Sequence, residues 1–583
     1  MHRKFLSFLI LNCIVLWALL PNAAAQSAYW DAVHKDYQNR TGIPQHVREE
    51  IGRYAMLSDT ASRDFRLYLE FLYAYMPQSD LADYDFDFFE QQLEFAMKAR
   101  ETFSWGKTIP EEIFRHFVLV YRVNNEDLDT ARSYIFHQLK DRIRGMSMYE
   151  AALEVNHWCH ERVDYQPADV RTSAPLATLR TSHGRCGEES TLTVTALRAV
   201  GIPARQCYTP RWAHCDDNHA WVEVWVDGRW WFLGACEPDP ELNMGWFAVP
   251  SSRTMMVHTN VFGKYNGPEE VNKKTQYYSC INVLPNYADT VHLTVTVTDP
   301  DGRPVKDATV LFKLYNYAEY YTLASRQTDA SGRASLITGK GDLLVWVKKE
   351  GDYNFAKADC RQSNRLGIRL PSAHAEQTVL LEMNPPVGGV TLTQTPPERQ
   401  ARNERRKQYE DSLREAYRST FPTPEAIAAA NIHNEYFTDE ELYDIIRRSE
   451  GNHDEILKFL QSHRQKEDGI LLKEFVAALA DKDLRDTKAD VLDACLTCCT
   501  FRNDIPQDVF VKGLLAPRIS NELLRSPDAS LLKIPYAKLG LHPTVAQLRQ
   551  YTLDNIVTDP DCNYYNCPIS PNGVLRGRRA DAH

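Results

Sequence analysis

Gly184-Arg185-Cys186-Gly187-Glu188-Glu189-Ser190 is the stretch on which the reading of this chain turns. Here a cysteine follows a glycine-bearing loop and opens a helical pattern, Glu188 to Val200, which ends at Gly201 and Pro203. A helix start presents free backbone N–H groups and a partial positive charge. Both favour a thiolate, so the Cys186 pKa is expected to fall and its nucleophilicity to rise. The same N–H groups are placed to hold the oxyanion formed when sulfur attacks an amide carbonyl.

Working outward, His219 begins the run His219-Ala220-Trp221-Val222-Glu223-Val224-Trp225. Two strand-like runs, Ala220 to Val226 and Arg229 to Leu233, flank Asp227-Gly228, a strong hairpin signal. A histidine on a rigid strand can be aimed at a helix-start cysteine, first as base and then as acid to the leaving amine. By itself a cysteine with a distant histidine is weak, because exported chains hold many structural cysteines.

Further blocks sharpen it. Gly184-Arg185-Cys186-Gly187-Glu188, Gly201-Ile202-Pro203-Ala204-Arg205, His219-Ala220-Trp221-Val222-Glu223-Val224 and Asp227-Gly228-Arg229-Trp230 occur in this order. Together they resemble the transglutaminase-like family, tightly over about 60 residues and more loosely over a core at 140–285. The resemblance implies a papain-like core with Cys186 as nucleophile and His219 as base. It also implies an orienting aspartate on the second strand, where this chain has Gly234. If Val226 faces Arg229, Gly234 faces Trp221 and His219 faces Cys236, so position 234 shares a face with the histidine. Glu237 is then the nearest carboxylate beyond, ahead of Asp239, Asp216 and Asp217, and is taken as the third catalytic residue. Trp212 and His214, in the loop before His219, and Trp221 are candidate substrate contacts.

Other features have blander readings. His157 and His160 lie three apart on a helical stretch, Met148 to Arg162, without a zinc-protease motif, and a structural role is favoured. Glu188 and Glu189 complement the helix dipole or touch substrate. Cys495, Cys498, Cys499, Cys562 and Cys567 suit disulfides or buried thiols better than zinc. No metal or cofactor is expected.

Arg3-Lys4, the apolar run Phe5 to Leu20 and Ala23-Ala24-Ala25 have the form of a secretory signal, with cleavage expected after Ala25. The run contains Asn12 and ends at Pro21, and it is short for a membrane span. The expectation is an exported chain, periplasmic or extracellular, with no transmembrane segment after cleavage. A net charge of −11 argues against nucleic-acid binding.

The predicted fold class is multidomain α+β. After the signal, 1–25, comes a helical region, 26–139, whose dense aromatics (Tyr68, Phe71, Tyr73, Phe88, Phe89) read as core. The papain-like core, 140–285, follows. Residues 286–384 alternate with period two and carry turn signals at Asp301-Gly302 and Ser331-Gly332, suggesting a β-sandwich. That module resembles the Ig or prealbumin-like modules of exported bacterial proteins. A proline- and glycine-rich linker, 385–400, leads to an all-α region, 401–583, with a loop-like tail from Pro560; an incomplete copy of a longer chain and a loose tail both fit that ending.

The expected function is a thiol enzyme that cleaves or transfers an acyl group from a protein, peptide or peptidoglycan-like amide, with hydrolysis favoured. The opposing expectation is a catalytically weak or inactive binding protein of the same family.

Overall fold

The computed structural model describes residues 26–57, 59–371, 378–389, 393–429, 434–463, 469–498, 506–515, 523–540, 542–559 and 569–580. The expected signal at 1–25 lies outside the described residues, as do Cys499, Cys562 and Cys567. Among the described residues no helix is long and apolar enough to cross a membrane.

The N-terminal helices include α1 (Thr60–Tyr75) and α2 (Phe86–Thr102). Each starts at an aspartate, Asp59 or Asp85, whose carboxylate accepts an N–H of the first turn. Apolar residues at helical spacing, such as Phe89, Leu93 and Ala96, bury one face. The aromatics of this region are core or pack against it. That core does not stop at residue 139. It continues through α3 (Met148–His160) and α4 (Cys186–Ala199), joining Phe89 and Leu93 to Trp158, Leu192, Leu197, Val222 and Val224.

Helix α4 packs against a six-stranded sheet. Its strands are β1 (Ala204–Thr209), β2 (His219–Val226), β3 (Arg229–Leu233), β4 (His258–Phe262), β5 (Glu270–Lys274) and β6 (Tyr278–Asn282). Their order is β3-β2-β1-β4-β6-β5, with antiparallel neighbours. Asp227 and Gly228 both have positive φ, 52° and 85°, as a tight hairpin turn of right-handed strands requires.

The hairpin register starts as expected, with Val226 opposite Arg229, but the ladder ends at Val222 and Leu233. Gly234 bridges Glu237 instead. The expected pairs His219–Cys236 and Trp221–Gly234 do not form. A side chain of α3 draws the strand away: Asn156 Nδ2 donates to the Gly234 carbonyl at 2.8 Å.

Beyond the core, β7 (Thr290–Thr298), β10 (Arg333–Gly339) and β13 (Arg365–Arg369) form one sheet. Strands β8 (Thr309–Asn316), β9 (Glu319–Gln327), β11 (Asp342–Lys349) and β12 (Asp352–Asp359) form another. Alternate residues of both, including Leu293, Val295, Phe312 and Val345, share a core. The β8–β9 hairpin reaches the loop before His219. Asn316 Nδ2 donates to the carbonyls of Trp212 and Cys215 at 2.9 and 2.7 Å.

The expected linker is helical at its end, since α5 runs over Pro397–Arg418 with prolines at its start. It crosses α3, where Glu410 accepts from His157 and His160. Both histidines are therefore structural. Later segments clamp the start of α4. Lys482 reaches Glu188 at 2.7 Å, His183 meets Glu450 at 2.6 Å, and Arg171 meets Asp483 at 2.7 Å.

Candidate active site

Cys186 is the first residue of α4. The start is fixed locally: Glu188 reaches back to accept the Arg185 N–H at 3.2 Å. Gly184 allows close packing, because a Cβ there would meet Glu188 Cβ at 2.7 Å. The Ala220 N–H lies near enough to the Cys186 sulfur to favour its thiolate, which brings the helix start close to the residue following His219 on β2. The tertiary fold therefore brings these two residues together.

His219 stands in an aromatic setting. Its ring centroid lies 4.7 Å from Trp246, 5.2 Å from Phe247 and 5.8 Å from Trp221. Its Nε2 is buried and has no hydrogen-bond partner among the described residues. Burial pushes the imidazole down to about 4. It also pushes the Cys186 thiol up to about 11, outweighing the Ala220 N–H and Arg185. The expected fall in the cysteine pKa is thus overturned, because loss of hydration exceeds what the helix start supplies. Thiol and imidazole both rest neutral.

Gly234 leaves a gap that Glu237 fills: a Cβ at 234 would lie 3.0 Å from Glu237 Oε2. Yet Glu237 is not on the imidazole. Its Oε2 accepts the Trp246 indole N–H at 3.0 Å. Burial raises its pKa, against the Trp246 bond. Asp239 is likewise raised by burial.

Two of the three candidate substrate contacts lie behind the site. Trp221 is fully buried and donates to the Tyr287 hydroxyl at 2.9 Å. Trp212 is buried and stacks on both His219 and Trp221. Only His214 is partly exposed, and burial lowers its pKa. Sequence reasoning missed Trp246 and Tyr165, two exposed rings near His219 and Cys186 respectively. Tyr165 lies near enough to Cys186, Glu189 and Asp217 for each to raise its phenol beyond the larger rise from burial. Trp246 carries a weak signal, an indole in a short loop soon after the hairpin. Among the described residues no group of three or more His, Cys, Asp or Glu is arranged to hold a metal.

Residues 137–235 match the family model of the transglutaminase-like superfamily. Over this segment the chain is similar to the transglutaminase-like superfamily. Among solved structures, one similar chain is a protein of Cytophaga hutchinsonii provisionally described as a cysteine protease. It is 18% identical, with a TM-score of 0.16, over 27% of this chain and 64% of that one. Another is red sea bream transglutaminase, 9% identical, with a TM-score of 0.18, over 48% of this chain and 58% of that one. This chain thus spans less than two thirds of either. No curated protein gives a significant match.

Within the transglutaminase-like domain, Cys186 and His219 take the helix-start and strand-start positions. The position expected to hold the orienting aspartate is empty of a side chain.

Proposed function

We propose that the transglutaminase-like domain is a thiol acyl-transfer centre, with Cys186 as nucleophile and His219 as general base and acid. The observation that carries this reading is the nearness of the Ala220 N–H to the Cys186 sulfur, which puts the thiol at the residue that follows His219 on β2. As sulfur attacks an amide carbonyl, its proton passes to His219. The C–N bond then breaks and His219 returns the proton to the departing amine. Water, deprotonated by the same imidazole, attacks the thioester; the C–S bond breaks, the acid leaves and His219 returns the proton to the Cys186 sulfur. Because both groups rest neutral, the proton moves during attack rather than before it. Hydrolysis is favoured over transfer to an amine, and the substrate class is a protein, peptide or peptidoglycan-like amide.

The proposal includes export, which rests on the signal-like residues 1–25, and a role for the flanking modules in placement and recognition. Glu237, held at Trp246 beside the His219 ring, is assigned as the orienting group.

One observation favours a second reading, a binding protein with little turnover: His219 Nε2 has no partner among the described residues, and position 234 is glycine. A library of peptide amides with and without a fluorescent amine, scored by mass spectrometry against Cys186→Ala, separates the readings. Acid products that require Cys186 support hydrolysis, and amine incorporation outrunning them reverses the preference. No Cys186-dependent product would leave the binding reading.

A further inference from the structure

Close to the thiol lies a buried acid that the acyl-transfer steps do not use. Glu189 follows Cys186 by three residues on α4, so the two side chains leave the same face of the helix. It is only 3% exposed, and its Oε1 has no hydrogen-bond partner among the described residues. Burial raises its proton affinity, and the Glu237 and Asp164 carboxylates raise it further. The Cys236 sulfur lies 3.8 Å from the Glu189 carbonyl, so the turn bearing Glu237 packs against this part of the helix.

A buried carboxyl without a donor is costly, and a second carboxylate nearby adds to the cost. The cation that Glu189 senses within the chain, Arg414, is engaged elsewhere, with Asp164, Asp411 and the His160 carbonyl. Each acid has an open ring near it: Trp246, 59% exposed, donates to Glu237, and Tyr165, 56% exposed, feels the charge of Glu189. Carboxylates near aromatic faces attract a compact cation through both charge and ring quadrupole.

We propose that Glu189 and Glu237, with the neighbouring rings of Tyr165 and Trp246, form a subsite for a primary ammonium group carried by the substrate close to its scissile amide. This rests on the reading of Cys186 as the acyl-accepting thiol. It names the substrate as an amide whose acyl portion bears a free amine, such as a peptide N-terminus or an amino side chain. The ammonium supplies the missing donors to Glu189 Oε1 and offsets the mutual repulsion of the two acids.

The test uses the full chain and three small methanethiosulfonates that modify thiols. One carries an ammonium, one is neutral and one carries a sulfonate. Modification of Cys186 is followed by peptide mass spectrometry, and each rate is normalised to the reagent's rate with a small free thiol. The ammonium reagent is expected to exceed the neutral one by roughly tenfold, with the sulfonate slower than both. The ammonium-to-neutral ratio should fall towards one in Glu189→Gln and in Glu237→Gln. Should Glu189→Gln fail to fold by circular dichroism, the wild-type ratio and Glu237→Gln decide. A wild-type ratio near one, or a ratio unchanged in the folded variants, overturns the subsite while leaving the thiol centre intact. If no reagent modifies Cys186 in the folded chain, the acyl-transfer reading fails and the subsite with it.

Discussion

Trp246 donates its indole N–H to Glu237 Oε2 at 3.0 Å while its ring lies against His219. One side chain thus both covers the imidazole and holds back the nearest carboxylate. Trp246→Phe removes the donor and keeps a ring. A released Glu237 carboxylate near Nε2 favours the imidazolium, so the acid limb of kcat/KM, set by a His219 near 4, should move to higher pH. A limb that stays in place rules out Glu237 as the orienting group. On the same grounds Glu237→Gln should slow turnover more than Asp239→Asn.

Neutral resting states for Cys186 and His219 have their own signature. Between about 4 and about 11 neither group is charged. Alkylation of Cys186 by iodoacetamide should therefore climb with pH through the neutral range, by about tenfold per unit. A plateau at neutral pH would instead report a thiolate–imidazolium pair.

Lys482 and Glu188 form a buried ion pair at 2.7 Å that ties the C-terminal region to the first turn of α4. Lys482→Met leaves Glu188 buried with less compensation. The expected cost is about 3 kcal/mol, seen as a lowered Tm, together with loss of any Cys186-dependent turnover. An unchanged Tm would show that the clamp contributes nothing to the helix start.

Asn316 acts at a distance from the chemistry. Its two hydrogen bonds steady the loop of Trp212 and Cys215 that feeds into His219. Asn316→Ala should lower kcat by about tenfold, with a loss of stability near 1 kcal/mol. A Tm loss with kcat intact would make the contact merely structural.

Glu410 is a pH-dependent fastener of α5. Burial alone would raise its pKa, but the hydrogen bonds from His157 and His160 hold it at about 2, below the usual 4.5. A carboxylate depressed in the folded state stabilises above its unfolded pKa and loses that contribution as pH falls to its folded one. Glu410→Gln should therefore cost about 2 kcal/mol at neutral pH. The gap in Tm to the parent chain should close between about pH 5 and pH 2. A gap independent of pH would place the effect in packing.

Local chemistry made several elements legible in the sequence. Asp227-Gly228 marks a hairpin because few residue pairs accept positive φ in succession. Gly201 and Pro203 end α4 for similar backbone reasons. The period of two in 290–298 announces a strand with one face buried. Cys186 and His219 stood out by residue type at a helix start and a strand start.

What the sequence by itself determined is therefore the set of elements and the two reactive side chains they carry. The tertiary structure alone decided how far β3 pairs, because Asn156, seventy-eight positions away, takes the Gly234 carbonyl. It decided that Glu237 rests on Trp246, that Trp221 lies in the core and that Glu189 Oε1 has no partner among the described residues. It also reversed the expected charge state of Cys186. A helix start favours a thiolate wherever it lies, but how strongly water is excluded depends on every segment packed around it, and that exclusion is the larger effect here.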